Sequence, residues 1–399
     1  MKIIPREDYL NRIKPYIGQN IIKVLTGQRR TGKSCLMKQI REMIKTTEPD
    51  TNIIFIDKEK LAFDDLKDYK DLYHHIIKKT DKTCKNVVMI DEIQEIESFE
   101  KTLRDLNENP RYDIFCTGSN AKLLSGELST FLAGRYVQIQ VSSLSYKEFL
   151  FFHKLDHSMD AFGKYVKFGG MPYLIHLPLE DEIVFDYLKS IYNSIILKDV
   201  VARHNIRNVN FLDRLVLFLA DNTGSMLAAK NISDFLKSQR VSISVNTVMN
   251  YLKFLSDSFF IHKISRYDII GKKIFEVNEK YYFEDTGLRN AIMGFQQKDM
   301  GKMLENIVYK HLKFKGYDVY VGKHKDMEID FLARKSGETL YVQVAYLLSS
   351  RQTIDREFGN LLKLKDNFRK IVVTMDEFAQ GNVKGIEHLH ILDFLKDFG

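Results

Sequence analysis

Gly27-Gln28-Arg29-Arg30-Thr31-Gly32-Lys33-Ser34 is the stretch on which the reading of the fold turns. It matches GxxxxGK[ST] at every fixed position, and its flanks supply the context that the pattern needs. The apolar run Ile21–Leu25 reads as a buried strand before it, and Leu36, Met37, Ile40 and Ile44 follow at helical spacing. In such a strand–loop–helix, glycines let backbone N–H groups crowd a polyphosphate, and the helix N-terminus adds partial positive charge. Lys33 is placed to reach the β- and γ-phosphates of ATP, and Ser34 to hold Mg2+ through its hydroxyl. The positions expected to hold the nucleotide are Gly27, Arg30, Thr31, Gly32, Lys33, Ser34 and Cys35.

Working outward, Val87-Val88-Met89-Ile90-Asp91-Glu92 offers four hydrophobic residues and then two acids. A carboxylate at the end of a buried strand suits the metal shell, so Asp91 is expected beside Mg2+ with Ser34. Glu92 is expected to orient and deprotonate an attacking water, a role that contributes about 10²–10⁴-fold to rate. Ile53 to Asp57, Asp113 to Thr117 and Tyr136 to Val141 complete a set of five short, β-branched, nearly continuous apolar runs. Runs of this kind alternating with helical patterns predict a parallel sheet covered on both faces, a three-layer α/β domain.

Composition limits the rest. Of 399 residues, 44% are hydrophobic and 28% charged, a globular balance on a chain long enough for two or three domains. No stretch approaches the roughly 18–20 apolar residues that cross a bilayer, and the N-terminus lacks a signal-peptide core. Cys35, Cys84 and Cys116 are sparse and odd in number, which argues against a disulfide framework or a zinc site. His153 and His157 have no acidic or thiol partners at metal-ligand spacing. A cytoplasmic location without a membrane partner is the expectation. The net charge of +7 permits nucleic-acid binding without requiring it.

These stretches resemble the bacterial and archaeal AAA+ ATPases related to origin-recognition and STAND proteins, which carry a C-terminal endonuclease-like domain. The matching segments are Pro5-Arg6-Glu7, TGQRRTGKS (26–34), VVMIDEIQ (87–94), FCTGSNAKLLSGEL (115–128), AGRY (133–136), GGMPYL (169–174), LKDVVARHNIRN (197–208), KYYFEDTGLRN (280–290) and EIDFLA (328–333). The resemblance implies that Arg6 borders the adenine pocket and that Pro172, in Gly169-Gly170-Met171-Pro172, packs near the base. It implies a γ-phosphate sensor after the fourth strand, at Asn120 or Ser119. Arg135 lies where a trans-acting arginine finger often sits, and equally where a surface arginine would open the fifth strand. The lid segment lacks the usual sensor arginine, for which Arg203 is a candidate substitute.

Four domains follow: an AAA+ core over 1–144, a helical lid over 145–225, a winged helix over 226–297 and a restriction-endonuclease-like α/β domain over 298–399. Ile232 to Leu236 and Val245 to Leu255 read as a helix-turn-helix. Val245, Val248, Leu252 and Leu255 share a face, and Ser242 and Ser244 are candidate N-caps. Lys263, Arg266, Lys272 and Lys273 give the following hairpin a basic edge suited to phosphates, whereas the recognition helix is poor in Arg and Lys. The tail resembles the PD-(D/E)xK nuclease core, with Glu305 and Asp330 in place. Gln343 and Ala345 stand where that core has an acid and a lysine, so loss of nuclease chemistry is expected. The expectation is an ATP-hydrolysing AAA+ protein with DNA as partner and possible self-association. The alternative is a STAND-like switch that recruits a protein.

Overall fold

The computed structural model describes residues 4–121, 132, 134–206, 208–239, 243–348, 350–377 and 380–397. Residues 122–128 of the matching segments, together with Ala133, Arg207 and the N-cap candidate Ser242, lie outside the described residues. The chain forms two compact units. One runs to Ser142 and includes Asp257–Phe259; the other comprises Ser143–Ser256 and Phe260 onward.

The first unit is built on β1 (Ile22–Thr26), β2 (Asn52–Asp57), β3 (Asn86–Asp91), β4 (Tyr112–Gly118) and β5 (Tyr136–Gln140), in the order β2-β3-β4-β1-β5. All four pairings are parallel. The helices α1 (Glu7–Ile13), α2 (Lys33–Thr47), α3 (Tyr69–Lys79) and α4 (Glu100–Asn107) belong to the same unit. Helix α2 buries Leu36, Met37, Ile40 and Ile44, the residues whose spacing announced it. The α/β reading with a parallel sheet therefore holds. One feature departs from the apolar pattern: Lys23 of β1 and Asp113 of β4 are ion-paired inside the sheet, 0% and 1% exposed. Asp113 also accepts from Gly18 N at 2.7 Å, so both charges have partners in the interior.

The second unit opens with α5 (Tyr146–His153), α6 (Met159–Phe168) and α7 (Asp181–Ser194). The π-helix Ile195–Ala202 and α8 (Val209–Asp221) follow. Next come α9 (Ala229–Ser238), α10 (Val245–Asp257) and the antiparallel pair β6 (Ile261–Asp268) and β7 (Lys273–Phe283). An isolated antiparallel bridge joins Leu227 to Glu279 of β7. On α10 the buried face is Val248, Tyr251, Leu252 and Leu255. Val245, expected on it, is 36% exposed, because the first turn of the helix projects past the core. Ser244 caps the helix, its Oγ accepting from Thr247 N at 3.1 Å.

Helices α11 (Thr286–Met293) and α12 (Met300–Phe314) lead into β8 (Asp318–His324), β9 (Met327–Lys335) and β10 (Glu338–Val344). After α13 (Arg351–Leu362) come β11 (Arg369–Thr374), β12 (Gln380–Val383), β13 (Ile386–His390) and α14 (Ile391–Asp397). Among the described residues these strands form one mixed sheet ordered β12-β13-β11-β10-β9-β8-β6-β7. The hairpin β6–β7 is thus continuous with the C-terminal strands, through parallel pairing of Arg266–Asp268 with Val321–Lys323. Sequence alone draws a boundary near 298 that this sheet crosses.

Candidate nucleotide site

The phosphate-binding loop leaves the C-terminal end of β1 and turns into α2 through Gly32, whose φ of 94° is the left-handed conformation that glycine tolerates. Gly27 is as constrained: a Cβ there would stand 2.1 Å from the Val141 carbonyl oxygen. Thr31 is fully buried and donates through Oγ1 to Gln28 O at 2.9 Å, tightening the loop. Lys33 donates to Gly27 O and Gln28 O, both at 2.9 Å, so its ammonium lies along its own loop. The Gln28 side-chain amide is buried without a hydrogen-bond partner, the kind of cost that concentrates at functional loops. Arg30 and Cys35 are exposed.

Beside the loop, β3 delivers Asp91. Its carboxyl is pushed above the usual range chiefly by burial, with Glu92 and Asp57 adding repulsion, while Thr117 and Ser34 donate to it and pull the other way. Ser34 and Asp91 are therefore already in contact. A hydroxyl and a carboxylate presented together are a hard-oxygen donor set that suits Mg2+. Asp57, in register with Asp91 on the adjoining strand, brings a further carboxylate to the same strand ends. This concentration of negative charge favours a cation.

Glu92 is 6% exposed and has φ of 54°, left-handed for a residue with a Cβ. Its backbone N–H donates to Thr117 Oγ1 at 2.9 Å, and its carboxylate accepts from Gln94 Nε2. Gln94 Nε2 also lies 3.3 Å from Ser119 Oγ. Ser119 and Asn120, the sensor candidates, are both buried, at the end of β4 beside β3. Thr117, Asp57 and Gln94 carry this arrangement, and sequence reading did not single them out. The signal that could have found them was their place at strand ends next to the acidic pair.

Four other candidates remain to be placed. The Arg6 guanidinium is buried, donates to Thr31 O at 3.0 Å and Ser142 O at 2.9 Å, and lies 4.4 Å over the Tyr9 ring. It binds the backbone of the phosphate loop. Arg135 is 45% exposed and pairs with Glu108 at 3.5 Å. Pro172 opens a short 3-10 helix, Pro172–His176, in the second unit. Arg203 lies 3.7 Å from Asp199, also in that unit. No helix among the described residues is long and apolar enough to cross a membrane.

Residues 19–150 match the model of an AAA domain, and residues 159–299 match a domain of unknown function. An uncharacterized protein of Haemophilus influenzae is 38% identical over 401 residues, covering 98% of both chains. One from Methanocaldococcus jannaschii is 31% identical, covering 99% of this chain and 92% of its own. Among solved structures, the Walker-type ATPase PABY2304 of Pyrococcus abyssi superposes with a TM-score of 0.50 at 16% identity, over 73% of this chain and 96% of that one. That likeness is one of fold. The chain belongs, with these full-length bacterial and archaeal relatives, to a family built on an AAA domain, and it is a nucleotide-binding protein of the AAA+ ATPase type.

Proposed function

We propose that the chain hydrolyses ATP at this site and uses the nucleotide state to control the arrangement of a DNA-associated protein. The observation that carries the reading is the chain of contacts Ser34–Asp91–Thr117–Glu92, which sets a metal-type donor pair beside a candidate base at neighbouring strand ends. Bound Mg2+ would offset phosphate charge. Lys33 would turn from its loop carbonyls to the β/γ-phosphates, and Asp91 with Ser34 would hold the ion. Glu92 would orient the attacking water and accept its proton, and Asn120 would sense the γ-phosphate. Arg135, exposed on the first unit, fits a finger offered to a second copy of the chain.

The reading of DNA as partner rests on the succession α8, α9, α10 and the β6–β7 hairpin, an order compatible with a winged helix. Lys272 and Lys273 stand exposed at the hairpin tip, whereas Lys263 is paired with Glu279 at 2.8 Å. We read the C-terminal strands with α12 and α13 as a nuclease-like core that keeps Glu305 and Asp330, and we assign it no nuclease activity. A second reading, a STAND-like switch that recruits a protein, has its own observation: Met249 is 56% exposed, and Phe235 on the preceding helix 45%. ATPase rates with and without DNA, measured beside the solution mass with nucleotide, separate the two. DNA stimulation supports the first reading; indifference to DNA with tightly retained ADP supports the second.

A further inference from the structure

Helices α3 and α4 of the first unit leave a cavity of about 290 Å³ between them. Its walls are two rows of side chains at i, i+4 spacing, Tyr69 and Tyr73 on α3 and Lys101 and Asp105 on α4. Lys70 and His74 stand beside the two tyrosines. Residues four apart lie about 5–6 Å from one another on a helix face, so the cavity runs for one helical turn. Helix α3 sends Leu72 and Ile76 into the core of the unit, which leaves its tyrosine side to the cavity.

The two ends of the cavity differ in chemistry. At one end Lys101 Nζ lies 4.6 Å and Lys70 Nζ 5.9 Å from the Tyr69 ring centroid, so a single ring gathers two ammonium groups. Both lysines are exposed, and neither is ion-paired with a carboxylate among the described residues. The backbone at this end is fixed: Thr102 Oγ1 donates to Tyr69 O at 2.6 Å, and the capping carboxylate of Asp68 accepts from Lys70 N at 2.8 Å. One turn further on, Tyr73 and His74 present rings whose centroids are 6.1 Å apart with planes at 70°. Asp105 adds an exposed carboxylate there that has no ion pair among the described residues.

We infer that this cavity binds a nucleotide unit, with its phosphate on Lys70 and Lys101 and its base against Tyr73 and His74. An inorganic anion would use the lysines alone and leave the aromatic end empty. An apolar ligand would use the rings and leave two ammonium groups without a partner. A nucleotide carries both chemistries at the spacing of the two ends, because every base has a face that stacks on an aromatic ring. The Asp105 carboxylate repels phosphate, so it must meet the other end of the ligand. There it accepts from an exocyclic amine such as N4 of cytosine. The volume lies just below the range of about 300–1,000 Å³ typical of small-molecule sites, room for one such unit. No residue of the phosphate loop lines this cavity, which makes it a second site. A free nucleotide and one member of a single strand present the same groups to it.

The test uses the full chain carrying Lys272→Glu and Lys273→Glu, so that the hairpin adds no nucleic-acid affinity, and no ATP. Fluorescein-labelled (dC)6 is followed by anisotropy, and dCMP, which lacks the β- and γ-phosphates that Lys33 reaches, by saturation-transfer NMR and by competition with the strand. Tyr73→Leu keeps an apolar side chain on the core but no ring face, and should weaken binding about 5-fold or more. Lys70→Glu/Lys101→Glu should weaken it further and flatten its salt dependence. Asp105→Ala should remove a preference for (dC)6 over (dT)6. Should Tyr73→Leu fail to fold, exposed His74→Ala takes its place. Displacement of the strand by dCMP supports the site and identifies the free nucleotide as sufficient; strand binding without dCMP binding supports it and places the unit within a strand. Binding of neither probe overturns the proposal. Affinity that ignores the aromatic substitutions overturns it too, because an anion alone would then be the ligand.

Discussion

Thr117 Oγ1 accepts the backbone N–H of Glu92 at 2.9 Å and donates its own proton to Asp91 Oδ1, so one hydroxyl on β4 ties together both acids at the end of β3. The left-handed turn that aims Glu92 depends on that amide having a partner. Thr117→Val keeps the shape and removes both hydrogen bonds. A lost hydrogen bond to a charged group costs about 1.5–3 kcal/mol, so turnover should fall about 10-fold or more, with nucleotide affinity changed only a few-fold. Thr117→Ser should restore most of the rate. Steady-state ATPase assays with equilibrium nucleotide binding check both.

Lys33 and Glu92 should separate binding from chemistry. Lys33→Ala removes the side-chain charge aimed at the phosphates and should abolish measurable ATP binding. Glu92→Gln keeps the shape of the site, retains ATP and slows turnover by about 10²-fold or more. Equal rates for wild type and Glu92→Gln would remove Glu92 from the role of base.

The five strands of the first unit were legible because buried parallel strands run apolar on both faces; the observed bounds lie within one residue of the expected ones. The phosphate loop was legible because fixed glycine, lysine and serine spacing reflects one backbone geometry. The Lys23–Asp113 pair was not, since the two residues come from different strands and only the order β4-β1 makes them neighbours. The same reason hid the ion pairs of Lys280 with Glu305 and Asp330, which are 25 and 50 residues from it in the chain. Parallel pairing of β6 with β8 leaves no local signal at all, so the continuity of hairpin and C-terminal sheet had to come from the structure. Tyr251 joins the buried face of α10, its ring centroid 4.9 Å from that of Phe211, a contact made across helices that the spacing within one helix does not reveal.

Arg135 distinguishes a finger from a surface residue. Its pair with Glu108 is half-exposed on both sides and contributes little to stability, so Arg135→Ala should leave the fold intact. As a finger supplied to a neighbour, its loss should abolish hydrolysis with ATP affinity nearly unchanged. Mixing Arg135→Ala with Glu92→Gln should then restore part of the activity, because one mixed interface joins an intact Arg135 to an intact Glu92. Hydrolysis independent of protein concentration, in a chain that stays monomeric with ATP, excludes this role.

The hairpin tip should carry the DNA affinity. Replacing Lys272 and Lys273 with Glu removes two exposed charges at a turn where Lys272 already holds φ of 50°. Binding should weaken alike on unrelated sequences, and its salt dependence should flatten, as lost phosphate contacts require. An unchanged salt slope in fluorescence-anisotropy titrations would place the DNA site elsewhere.

Glu284 should make the second unit sensitive to acid. Burial pushes its carboxyl upward, but Lys310 at 3.6 Å and the imidazole Nε2 of His262 at 2.6 Å outweigh that, with Ser143 N donating at 2.8 Å. The net direction is down from 4.5. A carboxyl depressed by folding adds stability that is fully present above its unfolded value and is lost as pH falls through its folded value. Asp285 next to it is shifted the other way by burial, so the total acid response of the protein is not the readout. The difference between wild type and Glu284→Gln is. At pH 7 the substitution leaves the Lys310 ammonium, 11% exposed, without its buried partner and should cost about 3–5 kcal/mol. Below the unfolded value this contribution is progressively lost, and the gap should narrow as pH falls through the folded value. Thermal or urea unfolding of both proteins across that range reads the gap directly. A constant offset at every pH would mean that Glu284 acts through packing and hydrogen bonding alone, with no contribution from its charge.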